Sequence, residues 1–365
     1  MNVLRHLFPL LCLLVFSEAQ ASPAEAQTIQ KTYQLAMDRW AQELRIATTA
    51  DERTKIWNDR PNVVTYAKNM WAAIGSSLDQ DWTLGPAAWF LRTTGALFAT
   101  DAEGSGKLVF AKENDAIRQA VEADHLKNSK LIPMCFALAV SPNPRSLAIL
   151  EKVQSAHPDP KTQGVAALGA ALQLRSLGDD GEIMRKRLTY LRKAIIQSSD
   201  VEYEGTTVAK IAEDELHVIR YLTKGRIAPD LVGVDSANRP LSLDANKGKI
   251  IILLFWNSSM QDFKQVTDIT NNLVAKFRGR PLVVLGVNSD PTATLRTLES
   301  NDTVTWQSFS DPENKLAKDF RISNWPTVIV LDGQRKIHYS GAPGSFAELT
   351  ADALLSDYKP IVPEQ

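Results

Sequence analysis

The sequence predicts an α + α/β chain: an all-helical, repeat-like domain over residues 28–224, followed by an α/β domain over 226–357. Three observations carry this. Apolar residues recur at spacings of three and four from Thr28 to about Thr223, the period of helices that bury one face. Across Gly225 to Pro229 that period gives way to short apolar runs of strand length. Then Ile250 to Phe255 forms a continuous β-branched and aromatic run, the pattern of a strand buried on both faces. Phe263, Val266, Ile269, Leu273 and Phe277 follow it at helical spacing. The order is therefore buried strand, tight turn, covering helix.

Length and composition set the frame. The chain has 365 residues, 44% of them hydrophobic, which suffices for two buried cores. A formal net charge of -1 gives no electrostatic reason to expect nucleic acid or an anionic membrane as partner. Residues 1–21 have the build of a signal peptide: Arg5, the apolar run Leu7 to Phe16, then Ala19-Gln20-Ala21 before Ser22. The expectation is a cleaved leader and an exported, periplasmic protein without a membrane span. Of the 2 cysteines, Cys12 lies in that leader and Cys135 outside it. The mature chain then has no second thiol for an internal disulfide or a dithiol exchange cycle.

In chain order, 22 to about 30 are small and polar and predict a flexible tail. Helices are expected over Ala36 to Ile46, Val63 to Leu78, and Pro86 to Phe98. The last opens at Gly85-Pro86, where proline is tolerated. Five of the 8 tryptophans (Trp40, Trp57, Trp71, Trp82 and Trp89) lie in this part. Filling the core between helices is the expectation, against the alternative of an aromatic binding surface. Asp101 to Lys107 is a glycine-bearing loop that lacks the full phosphate-cradle pattern. Leu131 to Val140 predicts a buried helix with Cys135 at its centre, where a thiol acts as a small hydrophobe. Four more helices follow in pairs from Pro144 to Thr223, at a spacing of roughly 35 to 40 residues typical of helical hairpins. Arrays of that kind offer binding surfaces rather than catalytic groups.

In the second part, Pro240-Leu241-Ser242-Leu243 predicts one strand of a hairpin. Pro281 to Val287 predicts a buried strand parallel to the 250–255 run, joined through the helix by a right-handed crossover. Asp290-Pro291 opens a helix, and Trp306 lies in a short segment after it. Asp311 caps a helix carrying Leu316 and Phe320. Thr327 to Leu331 and Lys336 to Tyr339 form a hairpin about Asp332-Gly333, and Phe346 to Leu355 is the last helix.

The residues "APD…PLSL…KGKIIILLFW", with "NWPTVIVLDGQRKIHYSG" further on, resemble the thioredoxin-like domain of exported TlpA-type thiol-disulfide reductases, within the wider AhpC/TSA-like group. The resemblance spans roughly 226 to 357. It implies a central mixed sheet flanked by helices. It also implies that Met260 stands at the attacking cysteine's place, Phe263 at the resolving cysteine's, and Trp325-Pro326-Thr327 at the loop whose proline is cis. In active relatives the backbone beside that proline pairs with an extended peptide, a strand-addition mode that needs no cysteine. The peptide-binding edge so implied comprises Trp256, Met260, Phe263, Trp325, Pro326 and Thr327.

The residues at this site carry no evident catalysis. A thioether has no ionisable proton, so Met260 offers no thiolate for a helix N-terminus to stabilise. Ser258 and Ser259 are good helix caps and have no histidine near them in sequence to act as a base. No two histidines are four apart, and no Cys/His cluster exists, so neither a metal nor a cofactor is implied. The leading expectation is a protein- or peptide-binding module of the cell envelope. The alternative is a thiol-disulfide oxidoreductase or antioxidant-family protein acting through Cys135 or a partner's cysteines.

Overall fold

The computed structural model describes residues 22–47, 50–100, 106–178, 180–260 and 262–358. The expected leader, 1–21, lies outside the described residues. The chain divides into two compact units, the first reaching Gly178 and continuing through Glu182–Ala209, the second holding everything from Lys210 onward.

The first unit is built from α1 (Pro23–Ile46), α2 (Ala50–Asn58), α3 (Val63–Ile74), α4 (Leu84–Thr94), α5 (Ala111–Ala120), α6 (Ile132–Val140), α7 (Pro144–Ala156), α8 (Pro160–Arg175) and α9 (Gly181–Ser198). Two small hairpins interrupt the helices: β1 (Phe98–Thr100) with β2 (Gly106–Leu108), and β3 (Glu202–Tyr203) with β4 (Thr206–Thr207). The flexible tail expected at 22 to 30 is corrected to the first turns of α1. Ser22 Oγ accepts the Glu25 N–H at 3.2 Å, and Pro23 stands where a missing N–H costs nothing. Helices α2 and α5 were not expected from the periodicity.

Helix α8 is the centre of this unit, buried almost along its length. Its small residues make that possible: a Cβ on Gly169 would come within 2.9 Å of Leu150 in α7 and 3.3 Å of Ala139 in α6. Gln173 Nε2 donates to the carbonyls of Leu138, Ala139 and Ser141 and so ties the end of α6 to α8. Arg118, 4% exposed, is held by two hydroxyls: Nε donates to Ser146 Oγ at 2.9 Å and Nη2 to Ser141 Oγ at 2.6 Å. The tryptophan expectation is corrected. None of Trp40, Trp57, Trp71, Trp82 and Trp89 is fully buried. Phe90, Met70, Ile74, Leu91 and Leu138 fill the interior instead, and the wide indoles border it, Trp40 giving its N–H to the Ile56 carbonyl at 2.8 Å.

The division falls inside α10 (Val208–His217). The switch from helix to strand does come after Gly225, yet the units part earlier. The reason is that Val218 and Leu222, in the turn continuing α10, pack into the second unit's core.

Beyond α10, the second unit's first strands are the hairpin β5 (Val232–Val234) and β6 (Pro240–Ser242). It continues through β7 (Ile250–Trp256), α11 (Phe263–Lys276), β8 (Leu282–Asn288), α12 (Thr292–Ser300), β9 (Gln307–Ser310), α13 (Lys315–Asp319), β10 (Thr327–Leu331), β11 (Ile337–Gly341) and α14 (Ser345–Ser356). The five-stranded sheet has the order β11-β10-β7-β8-β9. Strands β7, β8 and β9 are parallel, and β10 runs antiparallel to both neighbours. All seven residues of β7 are buried, because side chains alternate across a sheet covered on both faces. Ile251, Leu253 and Phe255 enter one core with Phe309 and Phe320. Ile250, Ile252, Leu254 and Trp256 enter the other, under α11 and α14. The N-cap of α13 is Asn314, but Asp311, expected in that place, serves the first turn from three residues earlier, its two carboxylate oxygens accepting the N–H groups of Lys315 and Ala317.

Candidate functional site

The site lies where β7 ends. Parallel β7 and β8 finish at Trp256 and Asn288, which are register partners. Antiparallel β10 begins there, with Thr327 opposite Phe255. The Trp325–Pro326 peptide is cis, as the resemblance implies. Thr327 Oγ1 donates to the Asn324 carbonyl at 2.7 Å and closes that loop.

The turn after β7 is not the helix cap expected of Asn257, Ser258 and Ser259. Helix α11 starts only at Phe263, so these residues are too early to reach its first N–H groups. They make a turn of their own: Asn257 Oδ1 accepts both the Ser259 N–H, at 3.1 Å, and its hydroxyl, at 2.8 Å. Ser258 anchors the turn to Asp290, 7% exposed, giving its N–H at 2.8 Å and its hydroxyl at 2.9 Å. Asn288 Nδ2 adds a third hydrogen bond to the same carboxylate at 2.9 Å. Asp290 was legible only as the start of a helix. Its role as the anchor beneath the turn depends on a contact 32 residues away in sequence.

Within the implied peptide edge, the sheet puts Trp256, Met260 and Phe263 on one face and Trp325 on the other. Trp256 is 0% exposed and stacks on Phe263 at 6.1 Å and 14°. Met260 and Phe263 pack against the same core. Trp256 is thereby corrected from a lining residue to a core residue, since it presents no surface to a ligand. Trp325 packs on the opposite face, against Phe255 with centroids 6.5 Å apart at 80°. Met260, Trp325, Pro326 and Thr327 remain half-buried at the end of the sheet.

Cys135 is 0% exposed within α6 of the first unit, and burial pushes its thiol up to about 12. A thiol so placed has almost no thiolate at neutral pH. We expect Cys135 in the native protein to react with a thiol reagent about a thousandfold more slowly than an ordinary cysteine, measured by following modification before and after denaturation. Reaction at the ordinary rate would contradict this burial. Among the described residues, no three His, Cys, Asp or Glu side chains meet in a way that could hold a metal ion.

The parallel β7-β8-β9 trio, the antiparallel β10-β11 pair, the flanking helices and the cis proline just before β10 together define a thioredoxin-like domain. Residues 224–340 match the family model of the AhpC/TSA family. No curated protein matches the chain. Among solved structures, it is similar to the thioredoxin domain of a thiol-disulfide oxidoreductase from Bacteroides vulgatus, at 20% identity over 38% of this chain and 99% of that one, TM-score 0.33. A secreted thiol-disulfide isomerase from Corynebacterium glutamicum is 18% identical over 36% of this chain and 86% of that one, TM-score 0.33. A peroxidoxin from Mycobacterium tuberculosis is 19% identical over 36% of this chain and 94% of that one, TM-score 0.31. No helix among the described residues is long and apolar enough to cross a membrane.

Proposed function

We propose that this is an exported protein of the cell envelope whose thioredoxin-like domain binds an extended protein segment and performs no thiol exchange of its own. The observation that carries the reading is the pairing of a kept frame with a sulfur that cannot ionise. The turn, the cis proline and the open end of the sheet are present, while a thioether at Met260 and a ring at Phe263 occupy the places implied for the redox thiols. A fold retained without its reactive group still offers its shape and its backbone edge. Leader-like residues 1–21 support the envelope location. The helical unit, with its stacked pairs, suits a second binding surface or a spacer.

The competing reading, an oxidoreductase or antioxidant role through Cys135, draws on the family match. The buried position of that thiol weighs against it, because exchange begins with attack by a thiolate.

Trp325 is the anchor the binding reading depends on: a wide ring, half-buried beside the cis proline. Against an immobilised array of unstructured peptides, Trp325→Ala is expected to weaken binding about tenfold or more, as loss of a central aromatic contact does. Equal affinity of the variant and the parent protein would count against this edge as the binding site.

A further inference from the structure

Three of the second unit's buried polar atoms that have no hydrogen-bond partner within the protein surround one spot. They are Trp256 Nε1, Trp306 Nε1 and Ser308 Oγ, on residues 0%, 4% and 0% exposed. The spot is set by Gly286 in β8, the register partner of Leu254 on one side and Ser308 on the other. A Cβ there would lie 2.6 Å from Trp256 Nε1, 2.8 Å from Trp306 Nε1 and closer still to Ser308 Oγ. The two indoles meet edge to face, with centroids 5.5 Å apart at 65°. So a ring from the end of β7 and a ring from just before β9 lean over the glycine and bring their N–H groups together. The neighbours in that core are apolar, Val266, Leu273 and Leu295 among them.

An indole nitrogen can only donate, so two donors and a hydroxyl share a place where neither indole N–H reaches an acceptor in the protein. Native interiors rarely leave such groups unpaired, and where they do an ordered water or ion is a recurrent cause. We propose that Trp256, Trp306 and Ser308 hold one single-centre hydrogen-bond acceptor above Gly286, a water oxygen or a halide ion. Both indoles donate to it. A water would return one hydrogen to Ser308 Oγ, whereas a halide would take the hydrogen of Ser308. In either form the acceptor ties β7 to β9 across β8, beneath the turn that carries Met260. The glycine is required because any side chain would occupy the same space.

The test uses the whole chain labelled with 15N-tryptophan, whose 8 indole signals are assigned by single Trp→Phe variants. In halide-free sulfate buffer, the Nε1–H signals of Trp256 and Trp306 are expected to show cross-peaks to a long-lived water. Crystals grown with bromide distinguish the other source: an anomalous peak within hydrogen-bonding reach of both nitrogens assigns a halide. Absence of both the water cross-peaks and the bromide peak overturns the proposal. Ser308→Ala, which adds no bulk, gives a second arm. The two indole signals are expected to shift together, because they share one acceptor; a shift of one alone overturns the shared site.

Discussion

Gly286→Ala is expected to destabilise the second unit by about 3 kcal/mol, a large value for the addition of one methyl group. The methyl carbon would lie 2.6 Å from Trp256 Nε1 and 2.8 Å from Trp306 Nε1, and closer still to Ser308 Oγ. The serine could rotate away, but the indoles are wedged against each other and Trp256 also against Phe263. Relief therefore requires a strand to move in the middle of a sheet. Interiors packed to crystal-like density do not absorb such a shift without loss. Thermal unfolding followed by circular dichroism is the measurement. At about 2–4 °C per kcal/mol for a unit of this size, the transition should fall by about 6–12 °C. A change below about 1 °C would mean that the rings repack freely and that the crowding argument is wrong.

Trp256→Ala is expected to cost about 4 kcal/mol, within the range of large aromatic deletions from a core. The side chain is fully buried and makes ring contacts with Phe263 and Trp306. Its removal opens a void under α11 that the apolar neighbours cannot close without shifting a helix. The effect belongs to stability: a folded Trp256→Phe variant, which keeps most of the packing, should bind peptides as the parent does. A near-neutral Trp256→Ala would show that this corner is loosely packed. A Trp256→Phe variant that folds normally but loses binding would return the residue to the ligand surface.

How far the sequence spoke differs between the fold and the site. Apolar runs and turn pairs are local signals, so β7, β8, the Asp332-Gly333 hairpin and α14 were placed within a residue or two. Small polar residues before a helix read equally well as a tail or as a cap and first turn, which is why Ser22 and Pro23 misled. Tryptophan count says nothing of depth; the narrower Phe90 and Met70 took the interior of the helical unit. At the site, Met260, Phe263 and the cis proline were named through the resemblance. The division of Met260 and Phe263 from Trp325 by the sheet was not, although the alternation of Phe255 and Trp256 contained it: adjacent residues on a strand point to opposite faces. Asp290 and the Gly286 cradle depend on contacts between distant segments, and no periodicity records those.

The thioredoxin-like frame of this protein is proposed to work without thiol exchange. The most direct measurement is reduction of a protein disulfide by the purified protein, with thiol reductant supplied, beside a Cys135→Ser variant. No turnover above the reductant alone is expected for either protein, with both folded. Turnover by the parent protein that disappears in Cys135→Ser would contradict it, and would place an active thiol in α6 where burial now holds one at about 12.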